Sequence, residues 1–122
     1  MLKDFYTIQS ESINASAAEF SVALNPDCEV YNGHFPGKPV SPGVCSIQMI
    51  KECAERVAGC KLSFVEIRQC RFLQLLSPAT TPCLNIYLEL KPKAEDCISL
   101  DAKIQNADVV CVSLSGTLKS AE

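Results

Sequence analysis

Only one segment of this 122-residue chain carries a helical period, and two strand-like segments precede it while four follow. A single helix cannot cover both faces of a flat six-stranded sheet. The order therefore calls for an α+β architecture, an antiparallel sheet curved around one long central helix. The helix is expected from Pro42 to about Ala58. Ser41 offers an N-cap hydroxyl, Pro42 fits the first helical position, and Gly59 is a natural stop. At the helical period, Ile47, Ile50, Cys53, Ala54, Val57 and Ala58 form a wide apolar arc, with Gln48, Lys51, Glu52 and Glu55 opposite.

The strands are legible as alternating or β-branched runs. Ala18 to Leu24 places Phe20, Val22 and Leu24 on one side, and Phe5 to Gln9 is its shorter partner across the polar stretch SESINAS. Leu62 to Leu73, Cys83 to Leu90, Cys97 to Ile104 and Val109 to Leu118 follow, separated by SPATTP, KPKAED and QNAD. The last of these joins two adjacent alternating runs and is a hairpin signal. Length and pattern together give a single domain over residues 1–122.

Several functional classes fall away on composition. A formal charge of −3 argues against nucleic-acid binding, which draws on clustered Lys and Arg. No apolar run reaches the roughly 18 residues of a membrane span. MLKDFYTIQ lacks the basic-then-apolar layout of a signal peptide, so a cytoplasmic protein is expected. The eight cysteines lie at loose intervals inside apolar segments and read as reduced, buried thiols. With one histidine and no C-x-x-C pair, no metal site is expected, and nothing calls for a cofactor.

Between Asn25 and Gly43 stand four prolines and three glycines, so this stretch reads as a loop. A loop this long in a small domain is usually functional. It carries the chain's only histidine, His34, followed by Phe35 as apolar shielding, and Gly43 then opens the helix. An imidazole can remove a proton from carbon beside a carbonyl while free amides at a helix start hold the charge that builds on oxygen. A lone loop histidine that merely caps or packs is the plainer alternative.

The pattern His34, Phe35, Pro36, Gly37, Pro39, Pro42, Gly43, Val44 resembles the signature of the 3-hydroxyacyl-ACP dehydratases of fatty-acid synthesis. CRFLQLLSP, residues 70–78, is similar to that family's next strand and loop, and the likeness covers roughly residues 15 to 118. The resemblance implies a hotdog fold and a homodimer with shared active sites, with a trimer of dimers as a further level of assembly. The substrate would be an acyl thioester carried on acyl carrier protein. It implies His34 as the base for the α-proton and the Gly43 N–H as donor to the thioester carbonyl. Phe35, Pro36, Val44 and Ile47 become candidates for substrate contact in an apolar tunnel, with core packing the ordinary alternative. Lys38, Lys61, Arg68 and Arg71 are candidates for a cationic rim facing an acidic carrier protein.

Two features depart from the family. The carboxylate expected fourteen residues after the histidine is replaced by Gln48, which has no proton to give a departing hydroxyl. One turn later, where the family usually carries Gln, stands Glu52. The two side chains are expected on one helix face about 6 Å apart. Glu52 as the acid, with Gln48 orienting it, is one reading, and a solvated surface charge is the other. The first strand also comes almost at the start of the chain, without the helical lead-in of longer members. Three functions follow as alternatives: a dehydratase, a hotdog thioesterase in which a carboxylate or imidazole activates water, and a non-catalytic subunit or acyl-binding module that depends on a partner for the acid.

Overall fold

The computed structural model describes residues 4–31, 41–94 and 96–121. In chain order the elements are β1 (Tyr6–Ile13), β2 (Ala17–Leu24), a short 3-10 turn (Glu29–Tyr31), α1 (Gly43–Ala58), β3 (Leu62–Phe72), β4 (Cys83–Ala94), β5 (Cys97–Asn106) and β6 (Val109–Ser120). The six strands form one sheet in the order β1-β2-β4-β5-β6-β3, with every neighbouring pair antiparallel. The chain leaves β2 near one edge and re-enters at β3 on the far edge. The connection between them, α1, must therefore cross the sheet, which is why one helix is enough to fill its concave face.

Alternation along the strands sets that face. Phe20, Val22 and Leu24 of β2, Leu84, Ile86 and Leu88 of β4, Leu100 and Ile104 of β5, and Leu114 and Leu118 of β6 are all buried. They form one cluster with Met49, Ile50, Cys53 and Ala54 of α1. Burying a side chain such as Met49 or Ile50 contributes about 1.5–3 kcal/mol. The buried stripe of the helix is rotated from the expected arc. It runs through Cys45, Ser46, Met49, Ile50, Cys53 and Ala54, while Ile47 and Val57 are only half-buried and Ala58 is exposed. The sheet encloses one side of the helix, so residues at both margins of the sequence-derived arc fall outside the contact.

Several boundaries also differ. Pro42 is the N-cap and Gly43 the first helical residue. Ser41 does not cap the helix: its Oγ lies 3.0 Å from the Tyr31 hydroxyl, and its N–H donates to Leu76 O at 2.7 Å. β1 continues through Ser10–Ile13, which was expected to be turn, because an edge strand tolerates polar residues on both faces. β4 runs on to Ala94 through Pro92; its pairing with β2 ends at Glu89, and proline is tolerated where a strand has become an edge. A 3-10 turn interrupts the expected loop at Glu29–Tyr31. Of the eight cysteines only Cys28, Cys45, Cys53 and Cys111 are buried, and Cys60 and Cys83 are exposed.

Two glycines are required by the backbone. Gly59 ends α1 at φ 76° and donates its N–H to Glu55 O at 2.8 Å, a left-handed stop that the Glu55 carboxylate reinforces by accepting from Leu62 N at 2.9 Å. Gly116 of β6 faces the bulged part of β3, where a Cβ would lie 2.6 Å from Glu66 O. Gly116→Ala is expected to lower the unfolding free energy by ~1–3 kcal/mol, since backbone must move to admit the methyl. Gly59→Ala is expected to cost about 1 kcal/mol through its left-handed backbone alone. Denaturant titration checks both, and an unchanged midpoint for Gly116→Ala would contradict the close approach of β3 and β6.

Candidate active site

Burial of Met49, Ile50, Cys53 and Ala54 fixes the rotation of α1, and so turns Gln48, Lys51, Glu52 and Glu55 to the other side. There the helix, the start of β1 and the turn after α1 border an open cavity of about 600 Å³. Tyr6, Gln48, Glu52, Glu55 and Lys61 are among its walls. Gln48 Nε2 donates to Glu52 Oε2 at 3.0 Å, and the Tyr6 hydroxyl donates to Glu52 Oε1 at 2.8 Å. Both carboxylate oxygens are thus engaged at the cavity wall. Burial above all, then the Cys53 and Glu52 side chains, push the Tyr6 phenol above its ordinary range, so it remains an O–H donor throughout neutral pH.

The pairing of Gln48 with Glu52 suits either protonation state of the carboxyl. The amide nitrogen donates to the ionised form, and after a rotation of the amide its oxygen can accept from the protonated form. Arg56, also on the wall, is drawn toward β1 by Glu11, which accepts from its Nε at 3.0 Å.

A second, smaller hollow of about 160 Å³ lies at the start of the helix, lined by Ser41, Gly43, Ser46, Phe72, Leu75 and Leu76 among others. The first N–H groups of a helix have no intrahelical acceptor, and no side chain among the described residues caps these. The Phe72 ring rests against Gly43 so closely that a Cβ there would lie 2.9 Å from its Cζ. Glycine is what lets the ring and the helix start meet. Among the described residues, this end of the molecule also exposes apolar side chains: Val44 is 70% exposed, Leu75 73% and Phe72 51%.

The other sequence candidates divide as follows. His34, Phe35, Pro36 and Lys38 lie outside the described residues. Val44 points outward, and Ile47 is half-buried against the core; neither lines the two hollows above. Lys61 stands at the 600 Å³ cavity, whereas Arg68 and Arg71 are exposed on β3, Arg68 beside Glu66 at 3.6 Å. Sequence reasoning missed Tyr6 and Phe72. Tyr6 was visible only as the aromatic at the head of a short strand, with nothing in its spacing to join it to a helix residue 46 positions away. Among the described residues, no group of three or more His, Cys, Asp or Glu side chains is placed to hold a metal ion, and no helix is long and apolar enough to cross a membrane.

A six-stranded antiparallel sheet in this order around a single helix is the hotdog fold, and comparison with known proteins places the chain among the hotdog proteins related to 3-hydroxyacyl-ACP dehydratases. Residues 9–115 match the model of the ApeI-like family, described as ApeI dehydratase, and the chain belongs to that family. It is similar to the 3-hydroxyacyl-[acyl-carrier-protein] dehydratase FabZ of Oenococcus oeni, with 30% identity over 79 residues. That match covers 59% of this chain and 55% of the relative, so it spans little more than half of the relative's length. Among solved structures, the dehydratase heterocomplex ApeI:P from Xenorhabdus doucetiae matches with a TM-score of 0.73 at 20% identity, over 93% of this chain and 96% of that one. A hypothetical thioesterase with coenzyme A from Streptococcus pneumoniae matches with a TM-score of 0.67 at 11% identity, over 95% and 85%. At these identities the structural matches establish the fold.

Cys53 sits on the buried stripe behind Glu52, and burial, with the Glu52 charge adding to it, pushes its thiol up to about 12. At pH 8 only ~10⁻⁴ of such a thiol is thiolate, the reactive form. A thiol-specific alkylating reagent at that pH is expected to modify the exposed Cys60 and Cys83 and to spare Cys53 until the protein unfolds. Peptide mapping reads the result, and modification of Cys53 as fast as Cys60 would contradict the packing of α1.

Proposed function

We propose that this protein is a hydro-lyase that removes water from a (3R)-3-hydroxyacyl thioester, carried on acyl carrier protein, to give the trans-2-enoyl thioester. The observation that carries this reading is the placement of Gln48 and Glu52, hydrogen-bonded to each other, on the cavity wall of the one helix that the dehydratase-family match spans. His34 takes the α-proton, and the Cα electron pair forms the new double bond as the C3–O bond breaks. The hydroxyl leaves as water with a proton from Glu52 of the partner subunit, since nine helical residues, about 13.5 Å, separate Gly43 and Glu52 within one chain. The Gly43 N–H, at an uncapped helix start, holds the thioester oxygen as charge develops there. Phe35, Pro36, Val44 and Ile47 contact the acyl chain in this reading.

A second subunit belongs to the same proposal. The exposed Val65, Ile67 and Phe72 of β3, with Leu73, Leu75 and Val44, give an apolar margin on a strand that is an open edge of the sheet. Pairing of two copies there gives a homodimer whose partner covers the helix start, and a trimer of dimers is the larger assembly of the same kind. The Xenorhabdus heterocomplex supports a variant of this reading, in which the chain works beside a different hotdog subunit that supplies a carboxylate where this chain has Gln48.

Incubation of the purified protein with a 3-hydroxyacyl-ACP, followed by mass spectrometry, is expected to show loss of one water from the acyl group. Glu52→Gln is expected to lower turnover by ~10²–10⁴-fold, the usual contribution of a general acid. Release of free acid in place of the enoyl product would turn the assignment to a thioesterase. Silence of the protein alone, with activity appearing in Gln48→Glu, would favour the mixed pair. Full activity of Glu52→Gln would remove Glu52 from the chemistry.

A further inference from the structure

Moving the carboxylate from position 48 to position 52 shifts it by a full helical turn, about 6 Å. A catalytic group must be held to roughly 0.5 Å, so the displaced carboxylate needs an anchor of its own. Gln48 alone is a flexible partner on the same helix. A further hydrogen bond reaches Glu52 from a different element, at 2.8 Å from the Tyr6 hydroxyl.

Tyr6 is built to be rigid. The backbone before it is pinned by Asn25, whose N–H donates to Phe5 O at 2.9 Å and whose side-chain nitrogen donates to Asp4 O at 2.8 Å. Tyr6 itself starts the β1 ladder opposite Leu24. Its ring meets Phe5, which is 1% exposed, edge-on at a centroid distance of 6.4 Å, and Phe5 in turn stacks on Tyr31 at 6.1 Å. The phenol thus projects from a fixed strand end onto the outward face of α1, and the oxygen it holds belongs to the cavity wall.

We propose that Tyr6 is the positioning residue of this site: its hydroxyl fixes the Glu52 carboxylate at the cavity wall, so that Glu52, one turn beyond Gln48, presents its acid to the substrate hydroxyl. This rests on the reading of Glu52 as the acid. Tyr6 gives up no proton in the reaction; it orients the group that does. Gln48 completes the arrangement on the second oxygen.

The test compares wild type with Tyr6→Phe, which keeps the ring against Phe5 and removes only the hydroxyl. With 3-hydroxyacyl-ACP as substrate, kcat is expected to fall about 10–100-fold, the loss typical of a hydrogen bond to a charged group, at unchanged KM and melting temperature. In the Glu52→Gln background, Tyr6→Phe is expected to cost nothing further. Full kcat in Tyr6→Phe, with Glu52→Gln inactive, would overturn the role of Tyr6 and leave the dehydratase reading standing. A fall in kcat matched by a lower melting temperature, and repeated in full in the Glu52→Gln background, would reduce Tyr6 to a packing residue. A wild-type protein that turns over no hydroxyacyl thioester would overturn the reading itself, and the role of Tyr6 with it.

Discussion

The rotation of one helix decides everything else in this molecule. Because β2 ends near one edge of the sheet and β3 begins at the other, α1 must cross the concave face, and it can do so only with Met49, Ile50, Cys53 and Ala54 turned inward. Once those four are buried, the 3.6-residue period leaves no freedom to Gln48 and Glu52: they stand together on the outward side. The same crossing brings the start of α1 out beside Phe72 at the end of β3, with no side-chain cap among the described residues. A stop in left-handed conformation at Gly59 then turns the chain sharply enough for Lys61 to close the far end of the cavity.

Within that frame the exchange of carboxylate and amide expected from the sequence resemblance is chemically coherent. An amide at position 48 cannot supply a proton, but it can partner a carboxyl in both of its protonation states, and Glu52 is within hydrogen-bonding distance of it. What a shift of one turn would ordinarily lose is precision of placement. A phenol from β1 supplies it here, fixed by a buried aromatic row and pinned backbone, and kept protonated by its surroundings. In the proposed chemistry, acid placement draws on the first strand of the sheet as well as on the central helix.

Much of this was legible in the sequence. The six strands and one helix, their antiparallel arrangement and the inward set Phe20, Val22 and Leu24 follow from periodicity, because a half-buried strand repeats every second residue whatever its neighbours are. The pairing of Gln48 with Glu52 follows from helical spacing. Three things did not follow. The limits of β1 and β4 depend on which strand edges are open, a property of the assembled sheet. Ser41 looked like a cap because of its residue type, yet Tyr31 and Leu76 claim its polar groups. The contact of Tyr6 with Glu52 joins residues 46 apart, and only the path of the chain across the sheet brings them together.

The central claim is that Glu52, and not the side chain at position 48, meets the hydroxyl that departs. The most direct test is a crystal structure of the protein with a non-reactive 3-hydroxyacyl pantetheine amide, in which nitrogen replaces the thioester sulfur. The proposed chemistry predicts the 3-hydroxyl within ~3 Å of a Glu52 carboxylate oxygen, a hydrogen-bonding distance, while the Tyr6 contact is retained. A hydroxyl held by Gln48 or by another residue, with Glu52 out of reach, would contradict it.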